Sequence, residues 1–157
     1  GYSTTVKPDK YDSVLLYGLE AGKYRLALKT PKDQIINVEY TRDKSKKKAA
    51  YKKSKAIHLK SDIDSIYTST EKAARWYKVS VSSTKKRKAV TLSKDSVGGG
   101  FKFRVYQKGK RLKTVKVTKN DKVKTVKLPK KKGAYYVKVT KLTSKTTGAY
   151  YLGTYTY

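Results

Sequence analysis

Hydrophobic and polar residues alternate along most of the chain, with apolar side chains at every second position. A period of two places those side chains on one face of a β-strand. The apolar members of the clearest segments are Tyr24, Leu26 and Leu28; Ile36, Val38 and Tyr40; Tyr77, Val79 and Val81; Val90 and Leu92; Phe101, Phe103 and Val105; Val115 and Val117; and Tyr135, Val137 and Val139. A last strand is predicted over 149–157, and no long helical pattern competes with the alternation.

Turn signals separate these segments. Residues 107–110 predict a hairpin turn in which Gly109 supplies a positive φ, and Asn120-Asp121 is a second turn signal. Val123 is out of phase with the apolar residues that follow it, which predicts a bulge or a register change near Lys124. Residues 98–100 predict a flexible loop. About ten short strands between such turns predict an all-β protein, an antiparallel β-sandwich.

The N-terminal third is harder to assign. Residues 44–55 predict a loop or a short helix, and residues 70–74 leave room for one helical turn. Residues 19–28 resemble residues 128–139, with Gly22 matching Gly133. This similarity is either an ordinary feature of tyrosine-rich hairpins or a partial duplication. Residues 1–54 hold two convincing strands, too few for independent stability, so we expect them to pack on a sandwich formed by residues 55–157.

The composition excludes several classes of site and leaves one strong bias. The 157 residues include no Cys and one His, which excludes disulfides, thiolate chemistry and the common zinc sites. No apolar run could span a membrane. The net charge is +29, and lysine, a hydrated point charge, accounts for most of it. Such a surface predicts diffuse, salt-sensitive attraction to polyanions, with solubility as the alternative explanation of the charge.

Candidate sites for polyanions are three basic clusters in predicted loops. They are Lys46, Lys47 and Lys48; Lys85, Lys86, Arg87 and Lys88; and Lys130, Lys131 and Lys132. Trp76, the single Trp, faces away from Tyr77 on the same strand. It is either a stacking platform for a sugar or a base or packs under residues 1–54, and the second interpretation is favoured. The same choice, with the same preference, applies to Tyr150, Tyr151, Tyr155 and Tyr157.

No catalytic constellation can be assembled from the sequence. His58 is predicted on the solvent face beside Lys60, a poor setting for the base of a nucleophile. No Ser lies in a Gly-x-Ser-x-Gly turn, and any pairing of the 11 acidic residues would be arbitrary. We therefore expect a protein that is not an enzyme and that needs no cofactor.

The later part of the chain carries a recognisable order of motifs. Residues 56–59 are followed by an acidic stretch, then by Trp76-Tyr77 opening a long strand, Gly133-x-Tyr135-Tyr136 near the end and a closing Gly148-x-Tyr150-x-Leu152. This order resembles the bacterial pre-peptidase C-terminal domain over residues 55–157. The resemblance implies a jelly-roll-like sandwich of secreted and surface proteins.

One departure from that family concerns calcium. Family members usually carry Asp directly before the Trp-Tyr pair, where this chain has Ala74-Arg75, and some bind calcium through carboxylates near the start of the domain. The candidate ligands here are Asp62, Asp64 and Glu71. Calcium prefers six to eight oxygens, so a site this poor in carboxylates would bind weakly inside a +29 field. No metal is expected.

The resemblance and the charge together give the functional expectation. We expect a secreted or cell-surface module, bacterial in type and monomeric, that attaches to anionic cell-wall polymers or acidic glycans. The start at Gly1 without Met is typical of a mature chain or of one from which a tag has been trimmed, and we expect that an export signal has been removed. The alternative is a nucleic-acid-binding β module that combines lysines with stacking aromatic rings.

Overall fold

The computed structural model describes residues 23, 25–27, 37, 50–60, 66–69, 74–95, 99–144, 146 and 149–157. Residues 66–69, 95 and 149 are described by their backbone alone. Several predictions lie outside these residues: the cluster Lys46, Lys47 and Lys48, the calcium candidates Asp62, Asp64 and Glu71, the strand around Val38 and most of the internal repeat. Residues 25–27 lie outside any strand and Leu26 is 54% exposed, so its predicted place on an apolar strand face is wrong. Alternation yields a strand only where another strand pairs with it.

Nine strands make up the described fold. They are β1 (Ile57–Leu59), β2 (Ile66–Ser69), β3 (Arg75–Val81), β4 (Lys88–Asp95), β5 (Phe101–Gln107), β6 (Lys110–Val117), β7 (Val123–Lys127), β8 (Gly133–Lys141) and β9 (Ala149–Thr156). One sheet has the order β1-β3-β8-β5-β6 and the other β2-β9-β4-β7. All pairs are antiparallel except β1 with β3. The prediction of an all-β sandwich is confirmed.

The one helical element in the described ranges is a 3-10 turn, Lys53–Lys55, where residues 44–55 predicted a loop or a short helix. Over the same ranges we find no helix with the length and apolarity that a membrane crossing requires.

The core lies between the two sheets and is formed by the predicted alternation. Tyr77, Val79, Phe103, Tyr135 and Val137 from the five-stranded sheet are fully buried. Their partners from the four-stranded sheet include Val90, Leu92 and Leu152, which are also fully buried. Each strand presents every second side chain to the opposite sheet, so two apolar faces cover one another.

Two tyrosines meet hydroxyl to hydroxyl inside this core. The Tyr77 and Tyr150 oxygens lie 2.6 Å apart, and the rings cross edge to face with centroids 6.4 Å apart. Desolvation raises the pKa of Tyr77 to about 12, against smaller lowering effects from the Tyr150 hydrogen bond and the charge of Arg75. Burial raises the pKa of Tyr150 well above its usual value too. Both tyrosine side chains are therefore neutral phenols within an apolar core.

The predicted bulge or register change near Lys124 is wrong. β7 pairs with β4 without interruption from Ala89 opposite Lys127 to Ser93 opposite Val123. Val123 lies on the outer face and is 51% exposed. A regular strand therefore accounts for its being out of phase with the buried Val126. The register shift in the described sheets lies instead between Val105 and Tyr106 of β5.

Gly99 and Gly100 are fixed by close packing, which corrects the prediction of a flexible loop at these two residues. Gly100 donates its N–H to Thr146 Oγ1 at 3.2 Å, and the same hydroxyl donates to the Gly100 carbonyl at 2.9 Å. A Cβ on Gly100 would lie 2.0 Å from the Val117 carbonyl oxygen. Gly99 has a φ of +75°. Both positions therefore require glycine.

The C-terminal tyrosines divide between two environments. Tyr150 is buried as predicted, whereas Tyr151, Tyr155 and Tyr157 are 39%, 37% and 45% exposed. The preference for packing over an exposed ring is wrong for these three. Strand period puts odd-numbered residues of β9 on the outer face of the four-stranded sheet.

Candidate functional site

Three chain connections meet at one end of the sandwich, which we call the basic end. They are residues 82–88, which run from the end of β3 to the first residue of β4, residues 107–110 around the turn that joins β5 to β6, and residues 128–132 between β7 and β8. Strand pairing brings them together, because Val81 lies opposite Gly133 and Gln107 lies opposite Tyr135. Leu128 also donates its N–H to the Lys88 carbonyl at 2.8 Å.

The basic end carries nine cationic side chains. They are Lys85, Lys86, Arg87, Lys88, Lys108, Lys110, Lys130, Lys131 and Lys132. All are exposed except Lys88, which is half-buried. Two of the three predicted clusters therefore meet at one end, and the hairpin adds Lys108 and Lys110, which the sequence analysis missed. Their position could have been predicted from the sequence, because the two-residue loop of a hairpin returns the chain to the end of the sheet from which it came.

The acidic residues of the sandwich after residue 74 lie away from the basic end. Residues 74–157 hold 24 Lys or Arg residues but only two acids, Asp95 and Asp121. Asp95 closes β4 far from the basic end, and Asp121 lies in the connection between β6 and β7. Asp121 forms an ion pair with Lys124 at 2.6 Å. Hydrogen bonds from Lys124 and Thr118 lower the pKa of Asp121 to about 2. Within residues 74–157, no Asp or Glu lies on the three connections.

Tyr135 holds two of the three connections in place. Its hydroxyl lies 3.2 Å from the Pro129 carbonyl oxygen and 3.0 Å from that of Lys131, so it can donate to either. Burial raises the pKa of this phenol, and a hydrogen bond with Gln107 opposes the shift. The Lys130–Lys132 segment is thus anchored through its backbone, while its side chains extend into solvent.

The third connection is anchored at the C-terminal residue. Arg87 and Tyr157 exchange backbone hydrogen bonds of 3.1 and 2.9 Å, and Ser83 Oγ accepts the Lys85 N–H at 3.1 Å. Lys127 extends the positive charge toward the same point, with its ammonium 5.1 Å from the centroid of the Tyr157 ring. The cations therefore project from a fixed backbone.

Trp76 is not part of the basic end. It lies on the outer face of the five-stranded sheet, half-buried, with its ring centroid 5.5 Å from that of Tyr106. The segment before the sandwich reaches it, because the Trp76 N–H donates to the Ala50 carbonyl at 2.8 Å. The predicted packing of Trp76 against residues 1–54 otherwise falls on residues outside the described ranges.

His58 is exposed on β1, as its place in the alternation predicts. Its Nε2 lies 3.0 Å from Ser80 Oγ, and its neighbour across the strand pair is Lys78. A Ser–His contact activates a nucleophile only when a third group orients the imidazole, and a lysine opposite the ring does not supply that group. Within the described ranges, no three His, Cys, Asp or Glu residues gather closely enough to hold a metal ion.

The comparison with solved structures found a similar domain. The chain matches the pre-peptidase C-terminal domain of collagenase from Bacillus anthracis, known from a 1.0 Å crystal structure. The match has 18% sequence identity and a TM-score of 0.46, and it covers 63% of this chain and 93% of that one. The chain is similar to a pre-peptidase C-terminal domain, as the motifs of residues 55–157 predict. No protein-family model and no curated protein matches the chain.

Proposed function

We propose that the protein is a non-catalytic module that attaches to anionic polymers through its basic end. The observation that supports this proposal is the meeting of nine cationic side chains on three anchored connections that contain no acidic residue. The proposal places the protein outside the cell, where wall phosphates, acidic glycans and shed nucleic acid are the polyanions available. It acts as a monomer.

The chemistry of lysine predicts how selective this attachment is. Eight of the nine side chains are ammonium groups, with Arg87 as the exception. An ammonium is a point charge, whereas the planar fork of arginine makes paired contacts that depend on the geometry of the acceptor. We therefore expect phosphate polymers and sulfated glycans to bind in proportion to their charge density. Each phosphate that is neutralised releases counterions, which makes the affinity depend steeply on salt.

The experiment is retention on a heparin or phosphate-polymer column from about 50 to 500 mM salt, a range in which counterion release changes affinity strongly. The test variant replaces Lys130, Lys131 and Lys132 by Ser. We expect earlier elution and a log–log salt slope that is shallower by roughly 0.7–0.9 for each phosphate that the variant no longer neutralises. Exposed charges contribute little to stability, so the variant should unfold at the same temperature as the wild type.

The matched control removes the same charge at the opposite end. Lys119, Lys122 and Lys124 are exposed and lie in the connection after β6 or at the start of β7. Their replacement by Ser should leave the slope nearly unchanged. Equal effects of the two triple variants would contradict a localised site, and passage of the wild type through the column at the lowest salt would contradict polyanion attachment altogether.

A further inference from the structure

Three aromatic rings lie on the outer face of the five-stranded sheet, outside the core, and two of them are next in sequence to Gln107 and Tyr135 near the basic end. They are Trp76 on β3, Tyr136 on β8 and Tyr106 on β5, and we call them the ring face. All three are half-buried. Tyr136 and Tyr106 lie directly opposite one another, and the Trp76 ring reaches Tyr106 across β8. Tyr106 keeps a regular register with β8, whereas its pairing with β6 shifts between Val105 and Tyr106 and leaves Leu112 of β6 as the extra residue.

Cationic side chains alternate with these rings in the register of the sheet. Lys138 lies between Trp76 and Arg104, and Lys78 lies opposite Tyr136. The next positions on the same face are Lys102 opposite Lys116, and Arg111 opposite Tyr106. No outward position of β3, β8, β5 or β6 is acidic. Positive charge therefore surrounds the rings on the described part of this face.

Two of the rings already hold a cation over their faces. The Lys138 ammonium lies 5.3 Å from the Trp76 ring, and the Lys53 ammonium lies 4.7 Å from the Tyr136 ring. Contacts of this kind contribute roughly two- to five-fold to an equilibrium when they are exposed to solvent. A stacked base contributes roughly five- to a hundred-fold. A base can therefore displace either lysine, and the released ammonium remains within reach of the adjoining phosphate.

We propose that the ring face binds single-stranded nucleic acid, with unpaired bases stacked on Trp76, Tyr106 and Tyr136. The surrounding Lys and Arg side chains pair with the phosphates. Binding without sequence preference combines these two elements, a positively charged track and aromatic rings in series. A duplex is excluded as the preferred form, because its bases are stacked on each other and a sheet face offers no element that enters a groove.

This site is separate from the proposed function, which needs charge alone. The basic end has nine cations, and the rings described beside it are the buried Tyr135, which offers no face for stacking, and the exposed Tyr157. The ring face has both charge and rings. The two sites are therefore distinguished by a ligand that keeps its phosphates and loses its bases.

The experiment compares two fluorescently labelled strands of about 20 nucleotides, long enough to cover a single domain. One is oligothymidylate, and the other is an abasic strand with the same number of phosphates. Binding to the full chain is measured by anisotropy at about 200 mM salt, where purely electrostatic contacts are weakened. We expect the thymidylate strand to bind at least ten-fold more tightly. It should also quench the emission of Trp76, whereas the abasic strand should not.

The test variant is Tyr106→Val, since valine suits a central strand and removes the ring without removing charge. We expect it to lower thymidylate affinity about five-fold or more and to leave abasic affinity unchanged. Trp76→Phe keeps a ring and should retain most of the affinity. Tyr155→Val, which removes an exposed ring from the other sheet, is the matched control and should change neither affinity.

Equal affinity for the two strands, or no quenching of Trp76 emission by the thymidylate strand, would overturn the proposal that bases stack on the ring face. The comparison of the two strands on the wild-type protein tests base stacking on the ring face even where a variant fails to fold. Replacing Lys130, Lys131 and Lys132 by Ser should weaken both strands by the same factor, because that change removes charge at the basic end only. A loss confined to thymidylate in this variant would overturn the separation of the two sites.

Discussion

At the scale of single residues, the Tyr77–Tyr150 pair is the feature on which the core depends most. Each hydroxyl is the partner of the other at 2.6 Å, deep between two sheets. Removing one partner leaves a buried polar group without its hydrogen bond, whereas replacing both by apolar groups of the same shape is nearly neutral. The pair should therefore behave as a unit in mutagenesis.

The corresponding prediction is a double-mutant cycle. Tyr77→Phe and Tyr150→Phe should each lower the free energy of unfolding by about 1–3 kcal/mol, because each leaves one hydroxyl unsatisfied. The double variant should cost no more than the larger single one, which gives a strongly non-additive cycle. Urea unfolding at neutral pH measures all four proteins. Additive costs would mean that the two hydroxyls are stabilised separately.

The same pair makes stability sensitive to alkaline pH. Burial raises the pKa of Tyr77 to about 12, while a tyrosine in the unfolded chain titrates near 10. Above pH 10 the unfolded state loses its proton first, so the stability present below pH 10 falls progressively as pH approaches 12. For Tyr77 alone the loss amounts to about 2–3 kcal/mol. The double Phe variant should lose less over this range, and exposed Tyr157→Phe should follow the wild type.

At the scale of elements, the β5–β6 hairpin has one unfavourable residue. Lys108 and Gly109 form its two-residue loop with φ angles of +46° and +80°. Positive φ at both positions is the signature of a type I′ turn, for which Asn-Gly is the preferred sequence. Glycine adopts this conformation freely, whereas a long side chain at the first position is strained.

This geometry predicts opposite effects at the two positions. Lys108→Asn should raise the free energy of unfolding by about 0.5–1 kcal/mol, because Asn tolerates the left-handed region. Gly109→Ala should lower it by about 1–2 kcal/mol. No atom lies within 4 Å of a Cβ built on Gly109, so the cost would come from the backbone and not from a clash. Thermal unfolding distinguishes the two, and a stabilised Gly109→Ala would refute the assignment of the turn.

The strands and their buried faces could be predicted from the sequence, but which strands pair with one another in each sheet could not. Alternation alone identified the buried faces around Val79, Phe103 and Val137, since a period of two is a local property. That Lys88 and Leu128 are hydrogen-bonded depends on the pairing of β4 with β7, which are separated by two intervening strands. For the same reason charge runs identified the clusters of the basic end but not their convergence. Thr146 was missed because a buried hydroxyl has no periodic signal.

At the scale of the whole molecule, the chain before β1 is continuous with the sandwich. Ala50 is 2% exposed and accepts the Trp76 N–H, and Lys53 extends over Tyr136. Residues 50–55 thus contact the same sheet face as the rings. We propose, as the sequence led us to expect, that residues 1–54 pack on the sandwich and do not hang from a linker.

Two truncations test this arrangement. A chain of residues 55–157 should be less stable than one of residues 50–157 by about 1–2 kcal/mol, because it loses the Ala50 hydrogen bond to Trp76 and the burial of Ala50. Both should be less stable than the full chain. Urea unfolding gives the three values. Identical stabilities of all three would show that the N-terminal part contributes nothing to the sandwich.

Positive charge is denser at one end of the described strands, because the basic end holds nine cations, whereas at the opposite end Asp95 and Asp121 lie among lysines such as Lys119, Lys122 and Lys124. This asymmetry gives the described sandwich an electric dipole along its strand direction. In the field of a negatively charged wall or polymer brush, a dipole experiences a torque before contact, and its positive end turns toward the charge. The molecule would then land with its strands upright. In that pose both sheet faces stand sideways to the surface, so Trp76 and its neighbouring rings remain open to strands lying between attached molecules.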